Sequence, residues 1–260
     1  MESIQSKDNS FIKDIKKLKD KKYRTENNKF LIEGFRFVSE ALQSNFNVSF
    51  IFISDKALDK YDNFHIKNKL QKNTQVYKVT EQILKGISST DTPQGIVAVV
   101  DNKNIKIENK QGFYVLVDKV QDPGNMGTII RTAHAAGSLG IIVTKGTVDI
   151  YNEKTLRSTM GSIFHIPIIQ DDNLEKLEVL KTNGFKLVVS SLDTENNFFD
   201  VNLKDRVIIA VGNEGNGVSE EIFHRADYKI KIPMPGDAES LNVSIAAAVM
   251  MFEVVRQSTL

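Results

Sequence analysis

Two five-residue runs, KLVVS at Lys186–Ser190 and VIIAV at Val207–Val211, restrict the fold more than any other feature of the chain. Each carries apolar side chains on consecutive positions, so both faces of the strand must be covered. A half-exposed antiparallel strand would alternate apolar and polar instead. Further strands are expected at Tyr114–Val117, Gly140–Val143 and Lys229–Ile232. Helices are expected near Asn125–Ala136, Glu153–Met160, Leu174–Thr182, Ser219–His224 and Ser240–Gln257. This alternation describes an α/β domain on a parallel sheet. Ligands of such sheets sit outside the carboxyl ends of the strands, so the loops that follow the strands are where chemistry is sought.

The first hundred residues alternate less regularly. FLIEGFRFVSEALQSN, Phe30–Asn45, has apolar residues at helical spacing. VSFIFIS at Val48–Ser54, TQVYKVT and GIVAVV at Gly95–Val100 read as strands, and YDNFHIKNKLQK and EQILKGISS as helices. At roughly 150 residues per domain, a chain of 260 residues makes one large domain or two modest ones. The polar stretch DNKNIKIENKQG between two strand-like runs favours two. The expected division is a small α/β domain over residues 1–100, a linker over 101–112 and a larger domain over 113–260.

The net charge of +1 conceals an asymmetry. Residues 1–110 hold 20 Lys and Arg against 14 Asp and Glu, whereas residues 111–260 hold 14 against 19. Lys7–Arg36 alone holds 10 basic and 5 acidic residues. A basic first half suggests a polyanion partner, and the alternative is a solvated helix face rich in lysine. No apolar run approaches the roughly 18 residues of a membrane span, and MESIQSKDNSF has no apolar signal segment. The absence of cysteine excludes disulfides and fits a cytoplasmic setting. The four histidines are scattered without metal-ligand spacing, so no metal is expected.

Three loops carry the chemistry. In DKVQDPGNMGTIIRTAHAAG, Asp118–Gly137, Pro123-Gly124 makes a turn, Asn125 is placed as a helix N-cap, and Arg131 follows on the helix. Read alone, Arg131 is a solvated helix arginine. In VGNEGNGVS the glycines Gly212, Gly215 and Gly217 run G-x-x-G-x-G. That is neither the dinucleotide fingerprint nor a P-loop, and Glu214 would repel a phosphate. In IKIPMPGDAESLNVSIAAAVMMFEVVRQ, a strand ends in prolines and Ser240-Leu241-Asn242 opens a helix that is apolar nearly all round. Such a helix buries more than one side, which points to a subunit interface.

These three segments, in this order and in this strand-loop-helix context, resemble the motifs of the SpoU/TrmH family. Its members are RNA ribose 2′-O-methyltransferases of the SPOUT superfamily. The likeness spans about Tyr114 to Gln257. The first hundred residues resemble the family's frequent N-terminal substrate-binding domain, an L30e-like RNA-binding fold, through the basic segment and TDTPQGIVAVV.

The resemblance implies a C-terminal α/β domain with a deep trefoil knot, S-adenosylmethionine as methyl donor, and a homodimer formed by that domain, with Arg131 working beside the partner's cofactor site. Arg131 matches the family's catalytic arginine, and Asn125, Glu214, Ser240 and Asn242 match the residues that orient it and the substrate. Glu214 is expected to pair with Arg131. The arginine acts as a general base, as a stabiliser of the incipient alkoxide or as a phosphate clamp; the difficulty of deprotonating a guanidinium weighs against the first. The segments matched to the cofactor hold Ser191, Leu192, Val211, Gly212, Asn213, Gly215, Gly217, Ile232, Met234, Leu241 and Val243. The implied substrate is RNA, 23S ribosomal RNA before transfer RNA, gripped by Lys16, Lys17, Lys19, Lys21, Lys22, Arg24 and Arg36. A rival reading is a non-catalytic RNA-binding or ribosome-assembly factor on the same fold.

Overall fold

The computed structural model describes residues 1–103, 107–191, 194–236 and 238–259. In chain order the first half contributes β1 (Glu2–Ile4), α1 (Ser10–Lys17), α2 (Lys21–Asn27), β2 (Lys29–Glu33), α3 (Phe35–Gln43) and β3 (Val48–Ser54). It continues with α4 (Leu58–Asn63), α5 (Ile66–Lys69), β4 (Gln75–Val79), α6 (Glu81–Ile87) and β5 (Ile96–Asp101). Then come β6 (Phe113–Val117), α7 (Pro123–Ala135), β7 (Gly140–Thr144), α8 (Glu153–Ser158), β8 (Ile168–Asp171) and α9 (Glu175–Thr182). The chain closes with β9 (Lys186–Ser190), β10 (Val207–Val211), α10 (Glu220–His224), β11 (Tyr228–Ile230) and α11 (Val243–Thr259). Two compact units result: Met1–Lys103 with Tyr151–Phe164, and Asn104–Ile150 with His165–Leu260.

The second unit is a six-stranded sheet in the order β11-β9-β10-β6-β7-β8, and each pairing between neighbours is parallel. Every residue of β6, β7 and β10 is buried. Burying a Val or Ile side chain contributes about 1.5–3 kcal/mol, and a strand with two covered faces gains it at each position. One side of the sheet packs a core of Leu116, Ile142, Leu177, Leu180, Phe185 and Ile208 under α9 and α10. On another side α11 lies against α7 and β10. The short strand β8 follows Pro167 and was not expected from the sequence, because four residues carry little periodicity.

The first unit is a five-stranded sheet in the order β1-β4-β3-β5-β2, with β5 antiparallel to both β2 and β3. Here the structure corrects the helix expected over Phe30–Asn45. Phe30 and Ile32 are buried in alternation on β2, and Gly34, at φ 100°, turns the chain into α3. The helical spacing belongs only to Phe35, Val38 and Leu42. The helix expected over YDNFHIKNKLQK is likewise split into α4 and α5 at His65, whose φ is 51°. From α1, Ile12 and Ile15 enter a core with Phe52, Ile83, Leu84 and Val97. The segment Tyr151–Phe164, placed with the later residues on sequence grounds, groups with the first unit. Tyr151 stacks on Phe30 at 4.4 Å, and Phe164 meets Phe37 and Phe46.

Candidate active site

The carboxyl ends of β6, β9, β10 and β11 bring their following loops together. After β10 the chain makes a closed loop. Asn213 N–H donates to Gly217 O (2.8 Å) and Gly217 N–H to Asn213 O (2.9 Å). The Asn213 side chain accepts from Gly215 N–H and Asn216 N–H and donates to the Lys119 carbonyl. Gly212 is forced by contact: a Cβ there would lie 2.1 Å from the Gly217 carbonyl group and 2.2 Å from Val218 N. Gly217 is required by backbone angle instead, with φ 68° and no neighbour within 4 Å. Thus the glycines serve backbone against backbone.

That loop delivers Glu214 to the start of α7. Its carboxylate accepts from Gln121 N–H (3.2 Å), Asp122 N–H (3.2 Å) and Asn125 Nδ2 (3.0 Å). Burial pushes the Glu214 pKa upward, but the bonds from Asn125 and from backbone N–H groups outweigh it, and the carboxyl sits below its ordinary value. The network continues to the third loop. Asn242 Nδ2 donates to Asn125 Oδ1 (3.0 Å), and Asn242 Oδ1 accepts from Ser244 N–H (2.9 Å) and Ser244 Oγ (2.6 Å). An acceptor-only carboxylate at one end fixes the sense of both amides. Three segments, separated by 89 and 117 positions where they meet, are therefore locked by one directed chain of hydrogen bonds.

Two expected caps are corrected. Asp122, not Asn125, caps α7 by accepting from Asn125 N–H (2.8 Å), and Pro123 opens the helix. The Asn125 side chain is thereby left for Glu214. The last helix begins at Val243 rather than Ser240, because Asn242 supplies the cap. The expected pairing of Glu214 with Arg131 is not formed. Arg131 is exposed on α7, and no described residue pairs with it. Its position six residues after Asn125 turns it about 240° around the helix, away from the amide.

A cleft of about 760 Å³ opens between the loops after β9, β10 and β11. Among its walls are Ser191, Val211, Gly212, Asn213, Gly215, Gly217, Ile232, Met234, Leu241 and Val243, together with Glu214, Ser240 and Asn242. Asn125 and Arg131 are not in its lining. Leu192 lies outside the described residues. Sequence reading missed Phe223 and His224 of α10, Glu220 and Ala246, which also line the cleft; only the amphipathicity of a five-residue helix could have signalled the first two. The volume falls in the range of small-molecule sites, roughly 300–1,000 Å³. Glu214 and Glu220 are its only carboxylates among the described lining residues, which include no Lys or Arg, so the site suits a cation.

A further missed residue is Asp118, directly after β6 and 1% exposed. Its carboxylate accepts from Thr144 Oγ1 (2.7 Å) and from Ser219 N–H (2.7 Å). Its own N–H donates to Val211 O (2.9 Å). One buried residue thus holds both ends of the glycine loop.

The expected RNA-contacting residues lie on three helices and the turn between two of them. Lys16 and Lys17 are on α1, Lys21, Lys22 and Arg24 on α2, and Arg36 on α3. Lys21, Lys22 and Arg36 are exposed. Arg24 instead donates to the carbonyls of Leu18 (2.8 Å) and Lys19 (2.7 Å), closing the end of α1. The Lys19 ammonium donates to the Ser88 carbonyl, and desolvation pulls its pKa below the usual lysine value. Lys17 pairs with Asp14 at 3.3 Å. Among the described residues no helix is long and apolar enough to cross a membrane.

Residues 112–252 match the SpoU rRNA Methylase family, and residues 9–98 match the MRM3-like substrate binding domain. The chain is 38% identical to the 23S rRNA (guanosine(2553)-2′-O)-methyltransferase RlmP of Bacillus subtilis, covering 98% of this chain and 99% of the relative. An AdoMet-bound rRNA methyltransferase from Sinorhizobium meliloti superposes with a TM-score of 0.84 at 31% identity, over 98% and 97% of the two chains. The methyltransferase AviRb of Streptomyces viridochromogenes, in complex with AdoMet, gives 0.87 at 28% identity over 96% and 98%.

Proposed function

The chain belongs to the SpoU rRNA methylase family and is an S-adenosylmethionine-dependent RNA methyltransferase, and from that premise we propose that it methylates a ribose 2′-hydroxyl of 23S ribosomal RNA. The observation that carries the reading is the cleft whose acidic, glycine-tight wall is tied through Glu214, Asn125 and Asn242 into one network. Bound there, S-adenosylmethionine supplies a sulfonium methyl for in-line displacement by the ribose oxygen. Apolar side chains of Val211, Ile232, Met234, Leu241 and Val243 offer contact surface, and backbone groups of the glycine loop offer donors and acceptors. The carboxylates of Glu214 and Glu220 favour the positive charge. The leaving group would depart neutral as the S–C bond breaks and the C–O bond forms, and the hydroxyl proton would pass to Arg131 or solvent, so the protein's task is to align a weakly acidic hydroxyl and stabilise its developing charge.

Arg131 is the residue for that task. Its guanidinium would take the hydroxyl proton, stabilise the incipient alkoxide or clamp the adjacent phosphate bidentately. Since it does not line its own chain's cleft, its site is that of a second copy. The proposed homodimer covers the exposed apolar side chains of α11, with Ile245 51% and Phe252 50% exposed. The trefoil knot that the family resemblance implies would lie at the C-terminal end of this domain. Lys21 and Arg36 remain the side chains of the first unit best disposed to contact RNA, Lys22 being paired with Glu26 at 3.9 Å, and the cytoplasm is the compartment proposed.

Incubation with labelled S-adenosylmethionine and separate RNA pools tests the reading. Label is expected at a ribose of 23S rRNA. Label in transfer RNA alone moves the substrate, and label in no RNA overturns the enzymatic reading of this chain. Arg131→Ala is expected to abolish methylation while S-adenosylhomocysteine still binds; retained turnover refutes its role.

A further inference from the structure

On the far side of the glycine loop lies a second cavity of about 380 Å³, walled by Lys119, Gln121, Gly146, Asn216, Gly217 and Ser219 among others. Asn213, Asn216, Gly217 and Val218 line both cavities, so the two adjoin along the glycine loop. A ligand in the second cavity is a close neighbour of whatever occupies the first. The charge of the two cavities is opposite. The methyl-donor cleft has Glu214 and Glu220 in its described lining, whereas Lys119 is the one ionised side chain in that of the second cavity. The nearest buried carboxylate, Asp118, is already engaged by Thr144 and Ser219 N–H.

Lys119 is held in place with unusual care. Its φ is 57°, in the left-handed region that side chains other than Gly seldom enter. Its N–H donates to Thr147 Oγ1 (2.9 Å), and its carbonyl accepts from Asn213 Nδ2 (3.1 Å) and Gln121 Nε2 (3.2 Å). Its stem passes over Gly146, with Cγ 3.5 Å from where a Cβ would stand. Among the described residues, nothing pairs with the Lys119 ammonium, the Asn216 side chain or the Ser219 hydroxyl, which makes no capping bond to α10. Strained backbone held by several bonds marks functional positions. Here it aims one cation, with two neutral polar side chains nearby, at a nucleotide-sized space.

We propose that this cavity receives a phosphate-bearing nucleotide of the substrate RNA adjacent to the one methylated, with Lys119 as counter-ion and Ser219 and Asn216 as hydrogen-bonding partners. The assignment rests on the methyltransferase reading. It places a cationic methyl donor and an anionic substrate on opposite sides of one loop, each against a wall of complementary charge.

The test compares full-length protein with Lys119→Ala and Lys119→Arg, using a 23S rRNA transcript and S-adenosylhomocysteine as probes. Loss of one charge-assisted contact is expected to raise KM for the RNA about tenfold. The slope of log affinity against log salt should shrink by about 0.7 to 0.9. Affinity for S-adenosylhomocysteine and kcat at saturating RNA should stay within about twofold, and Lys119→Arg should restore most of the RNA affinity. An unchanged RNA KM and salt slope would overturn the proposal. So would a parallel fall in S-adenosylhomocysteine affinity, which would make Lys119 merely a prop of the cofactor loop. If wild type binds no S-adenosylhomocysteine, the methyltransferase reading fails, and the salt slope of RNA binding still decides the cavity on its own.

Discussion

Asp118 joins segments that are distant in sequence, and its cost when removed is specific. Asp118→Ala strands the buried Thr144 hydroxyl, at about 1–3 kcal/mol for an unsatisfied group, and the half-buried Ser219 N–H at less. Asp118→Asn should largely rescue: its Oδ1 takes the Ser219 N–H and its Nδ2 donates to the Thr144 hydroxyl, which accepts as readily as it donates. We therefore expect S-adenosylhomocysteine affinity to fall at least tenfold in the alanine variant and less than threefold in the asparagine variant. Calorimetric titration of both variants decides; equal losses would contradict the hydrogen-bond account, and no loss in either would make the contact dispensable. Glu214 gives a pH signature. Its folded pKa lies below the ordinary value, so its contribution is full above the unfolded pKa, about 4.3, and is lost as pH falls through the lower folded value. S-adenosylhomocysteine binding by the wild type should weaken in that acid window by an amount absent from Glu214→Gln, and matching profiles would remove the carboxylate from the argument.

At the scale of elements, the glycine loop separates two reasons for a glycine. A Cβ on Gly212 would overlap the backbone of Gly217 and Val218, and backbone has nowhere to move. A Cβ on Gly217 meets nothing and only has to tolerate φ 68°, at roughly 1–2 kcal/mol. Gly212→Ala is accordingly expected to abolish S-adenosylhomocysteine binding, whereas Gly217→Ala should leave it within about tenfold; comparable losses in titration would contradict the packing account. Helix α7 shows a different division. Its Asn125 side joins the network of its own chain while Arg131 faces away, as the proposed dimer requires. The exposed Ile245 and Phe252 of α11 carry the corresponding dimer expectation: Phe252→Lys should shift sedimentation toward the monomer and reduce methylation.

For the molecule as a whole, the boundary between units matters more than the linker suggests. A fragment cut within Asp101–Gly112 would keep Tyr151–Phe164 but lose Phe30, Phe37 and Phe46, on which Tyr151 and Phe164 pack. Residues 113–260 alone should thus expose these aromatics, unfold at a lower temperature than the full chain and aggregate more readily. A thermal midpoint equal to that of the intact protein would show that the segment needs none of those partners.

The sequence by itself determined the parallel sheet, because runs such as VIIAV have no uncovered face to offer water. It also marked the three loops that the hydrogen-bond network joins and most of the cleft's lining, because glycine order, an acid in a glycine loop and Ser-Leu-Asn before a helix are local chemistry. It misread Phe30–Asn45, where strand and helix spacings run together until Gly34 separates them, and it assigned the caps of α7 and α11 to neighbours of Asp122 and Asn242. Only the tertiary structure decided what Glu214 touches, that Asp118 clamps the loop, and that Lys119 stands over a second cavity. Those facts depend on which loops the sheet order brings side by side. Periodicity along a chain reports how each segment meets water, but not which distant segment it meets.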